Sequence, residues 1–438
     1  MKYFIITYGC QMNKSDSERI AAILDKRGYS SASKIKEADL IVVNMCSVRQ
    51  SAVDRVYGLV PQLKKLKEKN PKLKTILTGC ILKEDRKKFE KMFDFVLDKN
   101  DLANWPEIIK QPSSSYLSKK GKFNKKEYLE IKPKYENPFS VFIPISDGCN
   151  NFCTYCAVPL TRGRLICREH KKIIQEAKEA IRNGAKEICL LGQNVNDYHC
   201  PVCPSIDFEK LLKEINKIDG YFWIRFITPN PADFSEKLIE TIAKCEKITP
   251  YLNLPLQSGD DEILKKMNRR YTVSQYLNLV KKIRSAFKKY RKGLEKEVAL
   301  STDIIVGFPG ETKKQFENTK RIMEKIRFDM AYIAQYSPRP GTLAAKMKDN
   351  VSKEEKKERE KILTEVLKKT ALEKNKKFVG KEIEVLVEKS KDSFLIGKSR
   401  HYKTVKFPGP KDLIGKFVKV KITEAIPWGL KGKITRYE

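Results

Sequence analysis

A chain of 438 residues is long enough for two or three domains, each with its own core. Its 89 Lys and Arg against 55 Asp and Glu leave a formal charge of +34, more than solubility asks, which points to a polyanionic partner even after allowing for lysine enrichment from an AT-rich genome. Eleven cysteines are too few for a disulfide scaffold. No apolar run nears the roughly 20 residues that span a bilayer, and the N-terminus opens a strand rather than a signal peptide, so a cytoplasmic protein with reduced thiols and no membrane contact is expected.

Residues 1–112 alternate strand and helix patterns, with strands at 2–7, 39–44, 74–78 and 95–97. A first helix starts with the cap chemistry of Ser15, Asp16, Ser17 and Glu18 and is ended by Gly28, and a second runs over about 47–69. Apolar strands separated by helices call for a doubly wound parallel sheet. Each of the first three strands ends in a loop with one cysteine: Tyr8-Gly9-Cys10, Asn44-Met45-Cys46 and Thr78-Gly79-Cys80. Ligand sites of such sheets lie beyond the carboxyl ends of the strands, so these thiols should converge as a metal site. Taken singly, each would be read as a buried hydrophobe. Residues 113–138 are rich in Ser, Lys and Pro and read as a linker with short strand content.

Alternation resumes in 139–374, with strands at 141–145, 187–191, 222–227, 251–256, 298–306 and 331–336 and a helix after each. Six units are two short of a closed (βα)8 barrel and imply an open three-quarter (βα)6 barrel. After its first strand come Cys149, Cys153 and Cys156 at CxxxCxxC spacing. Three thiolates on a four-iron cubane leave one iron without a protein ligand. A zinc loop is the competing reading, but a closed zinc site wants a fourth Cys or His nearby and none stands there. Tyr198-His199-Cys200-Pro201-Val202-Cys203 reads as a rigid loop insert, with half a zinc site or a redox pair as alternatives.

From 375 to 438 the period changes to two, with turns at Gly380, Gly397, Gly409 and Gly415, indicating a small β-barrel. It carries sixteen Lys and Arg against seven Asp and Glu. With Tyr402, Phe407 and Trp428 it suits unpaired RNA, unless those aromatics are its core.

Cys149-Asn150-Asn151-Phe152-Cys153-Thr154-Tyr155-Cys156 resembles the cluster loop of radical S-adenosylmethionine enzymes. The three N-terminal cysteine words resemble the methylthiotransferase family. So do Thr161-Arg162-Gly163-Arg164, Leu191-Gly192-Gln193-Asn194, Lys266-Met267-Asn268-Arg269-Arg270-Tyr271, the stretch around Asp303 and Ser337-Pro338-Arg339-Pro340-Gly341-Thr342. The C-terminal barrel resembles the TRAM domain. The branch with Cys46-Ser47-Val48-Arg49 looks most like bacterial tRNA methylthiotransferases that act on N6-isopentenyl adenosine 37, beside the anticodon.

That resemblance implies two 4Fe-4S clusters, one on Cys10, Cys46 and Cys80 and one on Cys149, Cys153 and Cys156. It implies S-adenosylmethionine as cosubstrate, cleaved to a 5'-deoxyadenosyl radical, and chemistry carried by the clusters rather than by a catalytic side chain. Tyr155, Gln193, Asn194 and Asp303 become candidates to touch the cosubstrate, with a cap or turn role open for Asn194 and Asp303. Arg162, Arg164 and Arg339 become candidates for substrate phosphate or cosubstrate carboxylate. The implied partners are the anticodon loop of tRNA, an electron donor and a sulfur donor, the chain acting as a monomer. The alternatives are the same chemistry on threonylcarbamoyl adenosine or on an aspartate of a small-subunit ribosomal protein, a radical enzyme without sulfur transfer, and a non-enzymatic iron-sulfur RNA-binding regulator.

Overall fold

The structure is a computed structural model and describes residues 1–110 and 125–437. Two compact units are present. The first comprises Met1–Glu136, Ser146–Arg168 and Arg339–Thr342, and the second Asn137–Ile145, Glu169–Pro338 and Leu343–Glu438. The cysteine loop, expected with the barrel it follows in sequence, thus belongs to the first unit.

The first unit is built on a five-stranded parallel sheet in the order Ser30–Ser31, Lys2–Tyr8, Leu40–Cys46, Lys74–Cys80, Phe95–Val96. Every residue of Leu40–Cys46 is buried, as a central strand covered on both faces requires. Ile41, Val43 and Met45 pack with Val53, Val56 and Leu59 of the helix Gln50–Lys69. Leu40 and Val42 pack on the other face with Ile20 and Leu24 of the helix Gln11–Lys26 and with Trp105. That first helix begins at Gln11, not at Ser15 as the cap residues suggest. Its N-cap is Cys10, with Asn13 completing a reciprocal capping box.

Of the expected linker, 113–124 lie outside the described residues. Among the rest, the helix Lys125–Glu130 stands where strand content was expected. It buries Tyr128 and Leu129 in the core around Trp105, and a six-residue helix with two apolar residues is too short to show a period. Further on, the strand pair Ser146–Asp147 and Ile166–Cys167 closes the cysteine loop at its base.

In the second unit six parallel strands form two three-stranded sheets. Ser140–Pro144, Glu187–Leu191 and Trp223–Phe226 make one, and Tyr251–Asn253, Ala299–Val306 and Met330–Gln335 the other. Isolated parallel bridges join Ile224 of the third strand to Ile248 and Gln257 to Ile304 of the fifth. The six expected helices are present, and a seventh, Asp261–Lys266, is started by the Asp260 carboxylate accepting from the Glu262 and Ile263 amides. The C-terminal strands Glu382–Lys391, Phe394–Ser399, Thr404–Pro408, Gly429–Tyr437 and Phe417–Ile426 close a barrel in that order.

This barrel docks on the residues where the parallel strands begin. Arg225 donates to the Ser399 and Arg400 carbonyls at 2.8 and 3.0 Å and to Thr249 Oγ1 at 3.0 Å, and it pairs with Glu187. Tyr402 stacks on Tyr251 with ring centroids 4.6 Å apart, and Phe417 lies against Trp223. Two of the three aromatics expected to stack on RNA are therefore used inside the protein: Tyr402 in docking and Phe407, fully buried, in the barrel core. Trp428 is 46% exposed.

Arg225→Ala removes one partner of a buried, hydrogen-bonded charge pair, a change that costs about 3–5 kcal/mol. The expected outcome is a lower melting temperature and faster release of the C-terminal barrel in limited proteolysis. An unchanged melting curve and digestion pattern would contradict this account of the docking.

Candidate metal centres

Strand register brings the N-terminal cysteines together. Cys46 and Cys80 are direct partners on adjacent strands, and their thiols are near enough to shift each other's ionisation in opposite directions. Cys10 is tied in through Asn13, whose Oδ1 accepts from the Cys10 amide at 3.2 Å and from Cys10 Sγ at 3.4 Å. Asn13 Nδ2 donates to Asn44 Oδ1 at 3.0 Å and to the Met45 carbonyl at 3.2 Å, and stands 4.0 Å from Cys80 Sγ. Asn13 and Asn44 thus hold the three thiols in one place, although the sequence reading gave neither a role. The cue lay in the word Tyr8-Gly9-Cys10-Gln11-Met12-Asn13, where an amide side chain falls three residues after the cap.

The glycines before Cys10 and Cys80 follow from that packing. A Cβ at Gly9 would lie 2.2 Å from Asn13 Oδ1. At Gly79, which has φ +107°, it would lie 2.2 Å from the Met45 carbonyl.

The charge state suits a metal. The Cys46 thiol beside it, reinforced by the Arg162 guanidinium, pulls Cys80 down to about 6 against the effect of burial, which favours the thiolate form that a metal requires. Cys46 carries the proton and is pushed well up by the neighbouring Cys80 thiol and by burial. Among the described residues no group of three or more His, Cys, Asp and Glu meets the geometry for one metal ion. Cys10, Cys46 and Cys80 are free thiols, soft donors of the kind that iron-sulfur clusters take, so the set fits such a cluster in its chemistry.

The second triad lies on a loop shaped by backbone contacts. Gly148 has φ +87°, and a Cβ there would lie 2.2 Å from the Arg164 carbonyl. The Cys149 amide donates to the Gly163 carbonyl at 3.2 Å and the Cys156 amide to the Cys153 carbonyl at 3.0 Å. Asn151 N–H and Val158 N–H reach Cys149 Sγ and Cys156 Sγ at 3.5 Å each. Amides aimed at these sulfurs favour thiolate charge on them. Cys149, Cys153, Cys156 and Tyr155 are all half-buried.

Arg162, expected to reach substrate, is buried and spent on the protein. Its Nε donates to Cys80 Sγ at 2.9 Å, Nη1 to Asp147 Oδ1 at 2.8 Å and Nη2 to Asp16 Oδ2 at 2.5 Å. Lys99 donates to Asp147 Oδ2 at 2.8 Å, and the Tyr128 hydroxyl to Asp16. Arg339 is likewise buried and bonds Gln50 and Asp85, on the helices that follow Cys46 and Cys80. Arg164 lies over the half-exposed Phe152 ring, 4.3 Å from its centroid.

Asn194 makes no side-chain cap bond to the turn it precedes and instead ties its loop to the next one, accepting from the Asn230 amide at 3.2 Å and donating to Asp233 at 2.9 Å. Gln193 and Asp303 are half-buried, at the loop after Glu187–Leu191 and within Ala299–Val306. In the CPVC loop, Cys200 is buried with its sulfur 3.1 Å from His170 Nδ1, and Cys203 lies beside Ser205.

Three family models match the chain: the Radical SAM superfamily over residues 143–323, Uncharacterized protein family UPF0004 over 2–98, and the TRAM domain over 376–435. Among curated relatives, the tRNA-2-methylthio-N(6)-dimethylallyladenosine synthase of Clostridium botulinum is 43% identical over 99% of this chain and 96% of its own length. That of Dictyoglomus thermophilum is 42% identical over 99% of each. Among solved structures, the radical S-adenosylmethionine methyltransferase TsrM from Kitasatospora setae, with cobalamin and a 4Fe-4S cluster bound, gives a TM-score of 0.52 at 13% identity over 78% of this chain and 77% of that one. The cobalamin-dependent radical enzyme OxsB gives 0.54 at 10% over 84% and 55%; at such identities the likeness is one of fold. The three matched models in this order, with identity above 40% along nearly the whole length, establish that the chain belongs to the tRNA-2-methylthio-N(6)-dimethylallyladenosine synthase family of radical S-adenosylmethionine enzymes.

Proposed function

We propose that this chain places a methylthio group on carbon 2 of N6-isopentenyl adenosine at position 37 of tRNA, beside the anticodon, in the cytoplasm. The observation that carries the reading is the gathering of Cys10, Cys46 and Cys80 around Asn13, in the same unit as Cys149, Cys153 and Cys156. Two three-thiol sites suit a reaction that must both open an unactivated aromatic C–H bond and deliver sulfur, which acid-base groups alone do not accomplish. When bound, the two clusters and S-adenosylmethionine supply the one-electron and sulfur chemistry, with electron and sulfur donors from outside the chain.

The protein's part is positioning. Cys10, Cys46 and Cys80 would hold the auxiliary cluster and Cys149, Cys153 and Cys156 the radical cluster. Asn13 and Asn44 orient the first set, and the Asn151 and Val158 amides support the second. Tyr155, Gln193 and Asp303 are assigned to the cosubstrate, and Asn194 shapes the loop that carries Gln193. Arg164, held over Phe152, is assigned to substrate phosphate.

The C-terminal barrel supports an RNA substrate by its charge pattern. Lys419 faces Arg436, Lys421 faces Lys433 and Lys406 faces Lys431 across neighbouring strands, all six exposed. Like charges directly opposite destabilise a sheet. Glu384 and Glu424 pair with Lys419 and Lys431 at 3.4 and 3.0 Å and Glu382 lies opposite Lys421, so the repulsion is partly offset within the sheet; the remaining excess of cations suits a phosphate backbone. Trp428 sits beside a hairpin tip whose Ile426 and Pro427 carbonyls accept from Asn375 Nδ2 at 2.8 and 3.2 Å, a stiff mount for stacking on an unpaired base of the anticodon loop.

Nucleoside mass spectrometry of tRNA from a deletion strain, with and without the gene restored, tests the function. Loss of the methylthio form of isopentenyl adenosine, and its return on restoration, is expected. An unchanged profile, or loss of a methylthio threonylcarbamoyl adenosine instead, would overturn the assignment. Independently, the anaerobically loaded chain should hold about eight irons, and replacing either cysteine triad by alanine should leave about four. Complete loss from one triple variant would refute two separate sites.

A further inference from the structure

Arg162 has no assigned role beyond the substrate contact that its burial rules out. Its guanidinium joins Cys80, a thiol of the auxiliary site, to Asp147, two residues before Cys149 of the other site, and to Asp16 on the first helix. Side-chain exposures within its ion pairs are 2% for Arg162 and Asp16 and nil for Asp147, and Lys99, also buried, completes the group. Two cations thus face two carboxylates in a dry setting, where each charge is felt strongly. Any charge on the Cys80 sulfur adds to a balanced set.

We infer that Arg162 is a positioning residue that sets the reduction potential of the auxiliary cluster and ties the Cys80 ligand to the base of the radical loop. The inference rests on the reading of Cys10, Cys46 and Cys80 as ligands of that cluster. Hydrogen bonds to ligand sulfur and net local charge are two of the levers by which proteins move cluster potentials. Adding an electron makes a cluster more negative. A guanidinium in contact with its sulfur favours the reduced form, and the carboxylates behind that guanidinium oppose it. The sign of the effect at each position follows: removing the cation lowers the potential, and removing a carboxylate raises it.

The test uses the full chain with Cys149, Cys153 and Cys156 replaced by alanine, so that only the auxiliary site is loaded, titrated with dithionite and followed by electron paramagnetic resonance. Iron and sulfide contents are measured alongside. Arg162→Gln is expected to shift the midpoint to more negative values, Arg162→Lys to stay near the parent and Asp147→Asn to shift the midpoint upward, each with iron retained.

A role limited to packing would move Arg162→Gln and Asp147→Asn in the same direction or not at all, and either result overturns the inference. Should Arg162→Gln fail to hold iron, Arg162→Lys and Asp147→Asn decide. A midpoint for Asp147→Asn above that of Arg162→Lys supports the inference, and equal midpoints refute it. A parent that binds no iron removes the cluster assignment itself, a failure distinct from a loaded parent whose potential ignores these changes.

Discussion

A charge buried without a partner is among the most costly features a fold can carry, and the first unit is arranged so that none arises where four of its segments meet. Asp16 comes from the first helix, Lys99 from the short helical turn after the sheet, and Asp147 and Arg162 from the two ends of the cysteine loop. Each is satisfied by another, and the guanidinium Nε–H reaches Cys80. Deleting one member strands the others, at a cost of about 3–5 kcal/mol for a buried pair. The network therefore fixes the loop that carries one triad against the strand that carries part of the other. It acts together with the strand register and the Asn13 bonds that place Cys10, Cys46 and Cys80.

The second unit solves a different problem. The basic C-terminal barrel has to be held without using the carboxyl ends of the parallel strands, where barrels of this kind place their chemistry. It is held instead at the strand beginnings, through Arg225, Tyr251 and Trp223. That leaves its paired lysines exposed. Of the barrel's aromatic side chains, Tyr402 and Phe417 are spent on docking and Phe407 on the core, and Phe394, Trp428 and Tyr437 stay exposed.

These two arrangements mark what a sequence reveals and what it hides. The six strands of the open barrel were legible because each is a short apolar run bounded by polar turns. The convergence of Cys10, Cys46 and Cys80 was legible because all three end strands of one parallel sheet. The first helix start was misplaced because its cap is a cysteine, outside the usual capping vocabulary, and Asn13 supplies the reciprocal bond. Phe407 shares its alternation with Val405 and faces inward with it, whereas Tyr402 is buried by a partner 151 positions away in the chain. The role of Arg162 was out of reach for a like reason. Its bonds span 15, 82 and 146 residues, and no local pattern distinguishes a guanidinium so engaged from one awaiting a phosphate.

The account stands on both thiol sites belonging to one compact unit, close enough that a nucleobase lies within reach of each. Magnetic interaction between the two reduced clusters measures this most directly. The doubly loaded protein should show spin-coupled broadening and faster relaxation that vanish when either triad is replaced by alanine. A spectrum equal to the sum of the two single-cluster spectra would place the sites too far apart to share a substrate, and the account would fall.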